Sequence, residues 1–214
     1  MRCPNCEQRI HRTATGCPHC GYSLADADVE FGGFGVELKM GSLGDGAGLL
    51  RRAERKRAEA AMKRFRARFP QLFFAVCTVS LEDSVNLRRF GFWLLNRAEF
   101  GGLGEGVGND AGVLLVIDAE SRAASLTYGY RVEPFLNEMD TFKCLSKAHP
   151  YFLEGDWLHG IVAVAKSVDK VLRRRWWRGL LRGGRFATGR RTSRRAEALT
   201  RQISFGTESN EVKA

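Results

Sequence analysis

Hydrophobic positions along this chain fall into helical and continuous blocks, and together the blocks outline a mixed α/β fold. From Leu49 to Phe69, Leu50, Ala53, Ala61, Met62, Phe65 and Phe69 return at helical spacing with arginine and lysine between them. Pro70 ends that helix. Leu72–Val79 (LFFAVCTV) is apolar, aromatic and β-branched throughout, the pattern of a buried strand. A second helix is predicted over about Asn86–Arg97, with Phe90, Trp93 and Leu94 on one face. Glycines then crowd Gly101–Gly108 as a loop. Gly112–Ile117 (GVLLVI) reads as a central strand covered on both faces. Ala124–Tyr128 follows as a strand closed by a turn at Gly129, and helices are expected at about Val132–Ala148 and Trp157–Leu172. The order α-β-α-β-β-α-α suggests a sheet between two helical layers. The aromatic residues Phe92, Trp93, Tyr128 and Tyr130 fit that core better than a ligand box.

Upstream of these blocks the pattern changes. Cys3-Pro-Asn-Cys6 and Cys17-Pro-His-Cys20-Gly21 are near copies of one knuckle. Two intervening residues let the backbone curl so that both thiolates of a pair face one ion, and a following glycine supplies the turn. Cys3, Cys6, Cys17 and Cys20 therefore make the closed four-thiolate shell of structural zinc. A redox role would need only one such motif. About twenty residues cannot bury enough surface to fold alone, so the metal should supply the folding free energy. His11 and His19 read as surface residues beside four available cysteines. Cys77 and Cys144, inside a strand and a helix, read as small core residues.

Between the knuckles and the first long helix, Ala25–Gly48 is rich in Gly and Asp and is expected to be a linker with a short extended piece at Val36–Met40. The resulting division is a zinc ribbon at 1–24, a linker at 25–44, an α/β domain at 45–172 and a tail at 173–214.

Charge alters the picture at the C-terminal end. The chain of 214 residues carries 34 Lys and Arg against 24 Asp and Glu, a formal net charge of +10. Ten arginines and no acid lie between Arg173 and Arg195, so this one segment holds the whole excess. Trp176, Trp177, Leu180 and Leu181 are interleaved with it, the composition of a segment lying at a lipid headgroup surface. Arginine-rich tails also bind RNA or DNA phosphates, and a solvated tail with no fixed partner is the third reading. A protein partner for the ribbon is open as well. Beyond Ala196 the chain is polar, with the composition of a disordered segment. The start, MRCPNC, lacks the apolar stretch of a secretory signal, and no run approaches the roughly 18 apolar residues of a membrane-spanning helix. The expected location is therefore cytoplasmic, with peripheral membrane contact.

The ordered string from Asp45 to Leu172 resembles a TPM domain, a family shared by plant thylakoid, bacterial and animal membrane-associated proteins. The resemblance is carried by Asp45-Gly-Ala-Gly-Leu-Leu50, Phe90-Gly-Phe-Trp93, Asn109-Asp-Ala-Gly-Val-Leu-Leu-Val-Ile-Asp118, Gly129-Tyr130 with Glu133, and Gly155-Asp156-Trp157. It implies a three-layer α/β/α sandwich, which here would follow a small four-cysteine zinc ribbon and precede a basic tail. It also implies either metal-dependent phosphatase activity or the binding of calcium or magnesium by acids at the strand ends. Many members carry a hydrophobic membrane anchor, which this chain lacks. Two family acids are absent, since Ser121-Arg122 stands where an Asp-Arg pair is usual and Thr127 replaces an acid before the Gly-Tyr. Asp110, Asp118, Glu133 and Asp156 remain as a thinned set of candidate ligands. Asp110 as a turn residue and Asp156 as a helix N-cap are the structural alternatives. The reading that follows is a binding or accessory module at an anionic membrane surface. A TPM-type phosphatase and a nucleic-acid-associated protein are the alternatives.

Overall fold

In the computed structural model the described residues are 2–11, 13–34, 38–81, 85–101 and 106–181, with 176–181 described as helical backbone. The chain divides into two compact units, Met1–Arg175 and Trp176–Ala214. The cysteine knuckles thus pack in one unit with the α/β domain. Residues 182–195 of the arginine segment, and the predicted disordered segment beyond Ala196, lie outside the described residues.

Ten elements recur in the architecture that follows. They are α1 (Leu24–Phe31), β1 (Lys39–Met40), β2 (Leu43–Asp45), α2 (Arg52–Arg68), β3 (Phe73–Val79), α3 (Leu87–Arg97), β4 (Glu99–Phe100), β5 (Gly112–Asp118), β6 (Ala124–Tyr128) and α4 (Glu138–Leu153). A final helix, α5 (Trp157–Leu181), follows them. The main sheet has the order β2-β3-β5-β6. β2, β3 and β5 run parallel, and β6 is antiparallel to β5.

Strand alternation sends side chains to two cores. Phe74, Val76, Val113, Leu115 and Ile117 join Met62 and Phe65 of α2, Cys144 and Phe152 of α4, and Ile161 and Val168 of α5. On the opposite face Phe73, Ala75, Leu114 and Val116 meet Phe31 of α1 and Phe90, Trp93 and Leu94 of α3. The result is the expected three-layer α/β/α sandwich, with β3 and β5 buried along their whole length.

The structure corrects three expectations, for the linker and for both ends of α4, and adds one short strand. Leu24–Phe31, expected as the last residue of the ribbon followed by linker, is a helix started by a capping box between Ser23 and Asp26. It is held by Asp28, which accepts from Trp93 Nε1 at 3.1 Å and pairs with Arg97. β4 occupies residues next to the expected glycine loop and pairs in parallel with β1. α4 begins at Glu138 instead of Val132, because Asn137 caps it by accepting from the Asp140 amide at 2.9 Å. It also runs through Pro150 to Leu153, past the expected end at Ala148. α5 carries the last helix past Leu172 into the arginine run, which extends it as the sequence order suggests.

Candidate functional site

The two knuckles share one backbone hydrogen-bond pattern. Cys3 N donates to Gln8 O and Glu7 N to Cys3 O at 2.9 and 3.1 Å. In the second copy Cys17 N donates to Tyr22 O and Gly21 N to Cys17 O, both at 2.9 Å. Gly21 takes the left-handed conformation (φ 76°), and Glu7 takes it at the equivalent place (φ 63°) without the freedom of glycine. The sequence marked the turn at Gly21 and missed its twin at Glu7. All four sulfur ligand atoms lie within 4.8 Å of one another. Cys3 and Cys20 Sγ are 3.7 Å apart and Cys6 and Cys17 Sγ 3.6 Å. Asn5 adds its backbone N–H to Cys3 Sγ at 3.4 Å and its side-chain amide to Cys20 Sγ at 3.6 Å. Backbone N–H groups aimed at sulfur stabilise negative charge there, and the Tyr22 amide pulls the Cys20 thiol down to about 6. Four soft donors in a closed group can hold a metal ion without leaving it an open position. His11 and His19 are exposed, and His11 Nδ1 bonds Thr13 Oγ1 at 2.8 Å.

The four candidate acids take separate local roles. Asp118, at the end of β5, is 4% exposed and accepts from Leu81 N at 3.0 Å, from Ser121 N at 3.1 Å and from the Ser121 hydroxyl. Burial by itself would raise its pKa, but bonds from the Ser121 hydroxyl and the Leu81, Ser121 and Glu120 amides outweigh that and hold it below the usual carboxylate range. Asp110 pairs with Arg131 at 3.3 Å in the turn before β5. Asp156 precedes α5, accepts from His159 N at 3.2 Å and contacts His159 Nδ1 at 2.7 Å. Glu133 is half-buried in the turn between β6 and α4. Among the described residues these four form no group whose carboxylates meet, whereas the cysteines do. The cap and turn alternatives therefore describe Asp156 and Asp110 as they stand. Ser121, which takes the place of a family acid, donates to Asp118 instead of repelling it.

Asp45, in the resemblance string but given no role by it, also acts as a clamp. Its carboxylate accepts from Leu49 N at 2.9 Å, Leu50 N at 3.2 Å and Thr78 Oγ1 at 2.6 Å, tying β2 to β3 and to the approach of α2. Cys77 and Cys144 are buried in the cores, and burial pushes their thiols up to about 12 and about 11.

The ribbon is not loosely appended. Arg2 pairs with Glu138 of α4 at 3.0 Å, and Glu7 pairs with Arg88 of α3 at 2.9 Å. Arg2 and Pro4 form one wall of a groove of about 530 Å³ that runs beside β6, with Leu87 and Phe92 of α3 and Phe142 and Leu145 of α4 also lining it. Gly129 N donates to Gly112 O and Asp118 N to Ala123 O. With that register, the backbone of Ala124, Leu126 and Tyr128 faces the open edge of the sheet. α3 approaches β6 closely because Gly91 carries no side chain against Thr127.

A helix-covered sheet joined to a four-thiolate knuckle pair defines the class of protein. Residues 43–171 match the TPM domain, and the chain belongs to that family. The N-terminal domain of a protein from P. gingivalis, solved in solution, shares its fold. The two are 23% identical, the match covers 72% of this chain and 92% of that one, and the TM-score is 0.52. The N-terminal domain of the cg2496 protein from Corynebacterium glutamicum also matches, at 18% identity over 60% of this chain and 78% of that one, with a TM-score of 0.47. No curated protein matches the chain. Among the described residues, no helix is long and apolar enough to cross a membrane.

Proposed function

We propose that this TPM-domain protein is a binding module, located in the cytoplasm, that a structural zinc ion completes and that Arg173–Arg195 holds at an anionic phospholipid surface. Zinc is favoured because a tetrahedral ion with bonds of about 2.3 Å sets its sulfurs roughly 3.8 Å apart, close to the 3.6 and 3.7 Å of the knuckles. Contact is favoured over turnover because Asp110, Asp118 and Asp156 serve an ion-paired turn, a loop clamp and a helix cap. The single observation that carries the surface reading is the gathering of positive charge. Arg173 and Arg175 pair with Asp169 and Asp140 at 3.1 and 2.7 Å, and the segment holds eight further arginines without an acid to offset them. Each basic residue near an anionic bilayer contributes on the order of 1 kcal/mol, so engagement of half of these would retain the protein there.

Sedimentation of the full chain with phosphatidylcholine vesicles, with and without phosphatidylserine, tests this. Binding should require phosphatidylserine, weaken with salt, and fall when the seven arginines from Arg178 to Arg195 are changed to glutamine. Unchanged sedimentation of that variant would refute the role of the segment. Zinc at one equivalent per chain, measured on purified protein by elemental analysis, is the companion expectation.

A further inference from the structure

The outer face of α4 and its groove with α5 carry charge and apolar surface that the fold does not use. Glu138 is engaged by Arg2, Asp140 by Arg175, and Asp169 by Arg68 and Arg173, so the acids of α4, and of α5 as far as Arg175, are already paired. The basic residues are not matched in the same way. Lys143, Lys147, Lys170 and Arg174 line a groove of about 230 Å³ between the two helices. Among the described residues none of the three lysines has an ion-pair partner. Among the described residues the one acid lining the groove is Asp140, neutralised by Arg175.

Beside this basic row stands an apolar one. Met139, Phe142 and Leu153 are 60%, 67% and 50% exposed, and they belong to a small set of large hydrophobic residues left in solvent. At about 100° per residue, Met139, Phe142, Ser146, Pro150 and Leu153 share one stripe of α4, and Lys143 and Lys147 form the adjacent stripe on the side of the α5 groove. An apolar stripe bordered by unneutralised lysines is the surface of a helix that lies in a headgroup layer, where the rings enter the acyl boundary and the ammonium groups meet phosphate. A nucleic acid would supply the phosphates but no apolar phase for Met139 and Leu153.

We infer that the α4 face, with the α4–α5 groove, is a second contact of the protein with an anionic bilayer, in which Lys143, Lys147, Lys170 and Arg174 take lipid phosphates and Met139 and Phe142 enter the interface. The inference rests on the membrane reading above and adds to it a surface on the folded unit whose three lysines lie outside the arginine segment and which meets that segment at Arg174.

The chain contains four methionines, and Met62 is buried at 2% exposure. Full-length protein labelled at the methionine methyl groups, mixed with phosphatidylcholine–phosphatidylserine vesicles carrying a headgroup nitroxide, should show the Met139 resonance broadened and the Met62 resonance sharp. Lys143→Gln with Lys147→Gln in the full chain should weaken vesicle partitioning roughly twenty-fivefold, about fivefold for each lysine. Phe142→Ser should weaken it without changing the salt dependence. Vesicle binding that leaves Met139 sharp overturns this inference and spares the arginine segment. Loss of all binding on changing the arginines, with the lysine pair changing nothing, does the same. Absence of any vesicle binding removes both readings. A shift of single-stranded RNA that depends on Lys143 and Lys147, with no vesicle binding, would replace the lipid assignment.

Discussion

Replacing Asp118 by asparagine tests whether the acid at the end of β5 is a structural clamp. The carboxylate is 4% exposed and accepts three hydrogen bonds from Leu81 and Ser121, which close the loops after β3 and β5 onto each other. Bonds to a charged acceptor contribute about 1.5–3 kcal/mol each. Asparagine keeps one acceptor oxygen but turns an NH2 toward donors on its other side. Allowing for solvent screening, the expected loss is about 2 kcal/mol. In a unit of this size about 1 kcal/mol corresponds to roughly 2–4 °C, so Asp118→Asn should melt about 4–8 °C lower at neutral pH by circular dichroism. The pH dependence supplies a second, independent readout. The folded pKa of Asp118 is depressed, so its stabilisation is present above the unfolded value of about 3.9 and is lost as pH falls through the folded value. The gap between wild type and variant should therefore narrow progressively as pH falls below the unfolded value and through the folded one. Equal stability at neutral pH, or a gap that persists in acid, would refute the clamp.

Other expectations follow from the same geometry. Removal of the ion by chelation should unravel residues 2–22, read as rapid amide exchange there, while β3 and β5 stay protected, because the sandwich cores contain none of the four thiolates. Protected ribbon amides after complete metal loss would contradict this. Gly129→Ala would drive its methyl into the Asp110 backbone carbonyl, which cannot swing aside, so a loss of more than about 3 kcal/mol in urea denaturation is expected. Asp28→Ala removes the partner of Trp93 and Arg97 and should lower the melting temperature, with faster amide exchange confined to α1.

The parts of this fold that were legible are those whose signal is local. β3 and β5 are continuous apolar runs, and CxxC spacing alone names four thiolates that meet. The parts that were missed draw their stability from distant partners. α1 buries only Ala27 and Phe31, too few for a periodic signal, and is held by Asp28 reaching across to α3. β1 and β4 have two residues each, and their pairing joins Lys39 to Glu99 across a long stretch of chain. The start of α4 was legible in principle, since Asn137 followed by Asp140 is a capping pair, but the apolar spacing from Val132 outweighed it. Carboxylates were the hardest class. A ligand and a cap have the same side chain, and only the donors around Asp118 and Asp156 tell them apart.

β6 is the last strand on its side of the sheet, and Arg2 and Pro4 stand along the groove that skirts it. Bare strand edges recruit strands from other molecules. If a bound ion holds the ribbon together, the ribbon would shield that edge, and metal starvation should compromise solubility before it unfolds the sandwich. Light scattering that rises on chelation, and reverses when zinc is restored, would show metal supply setting the protein's self-association.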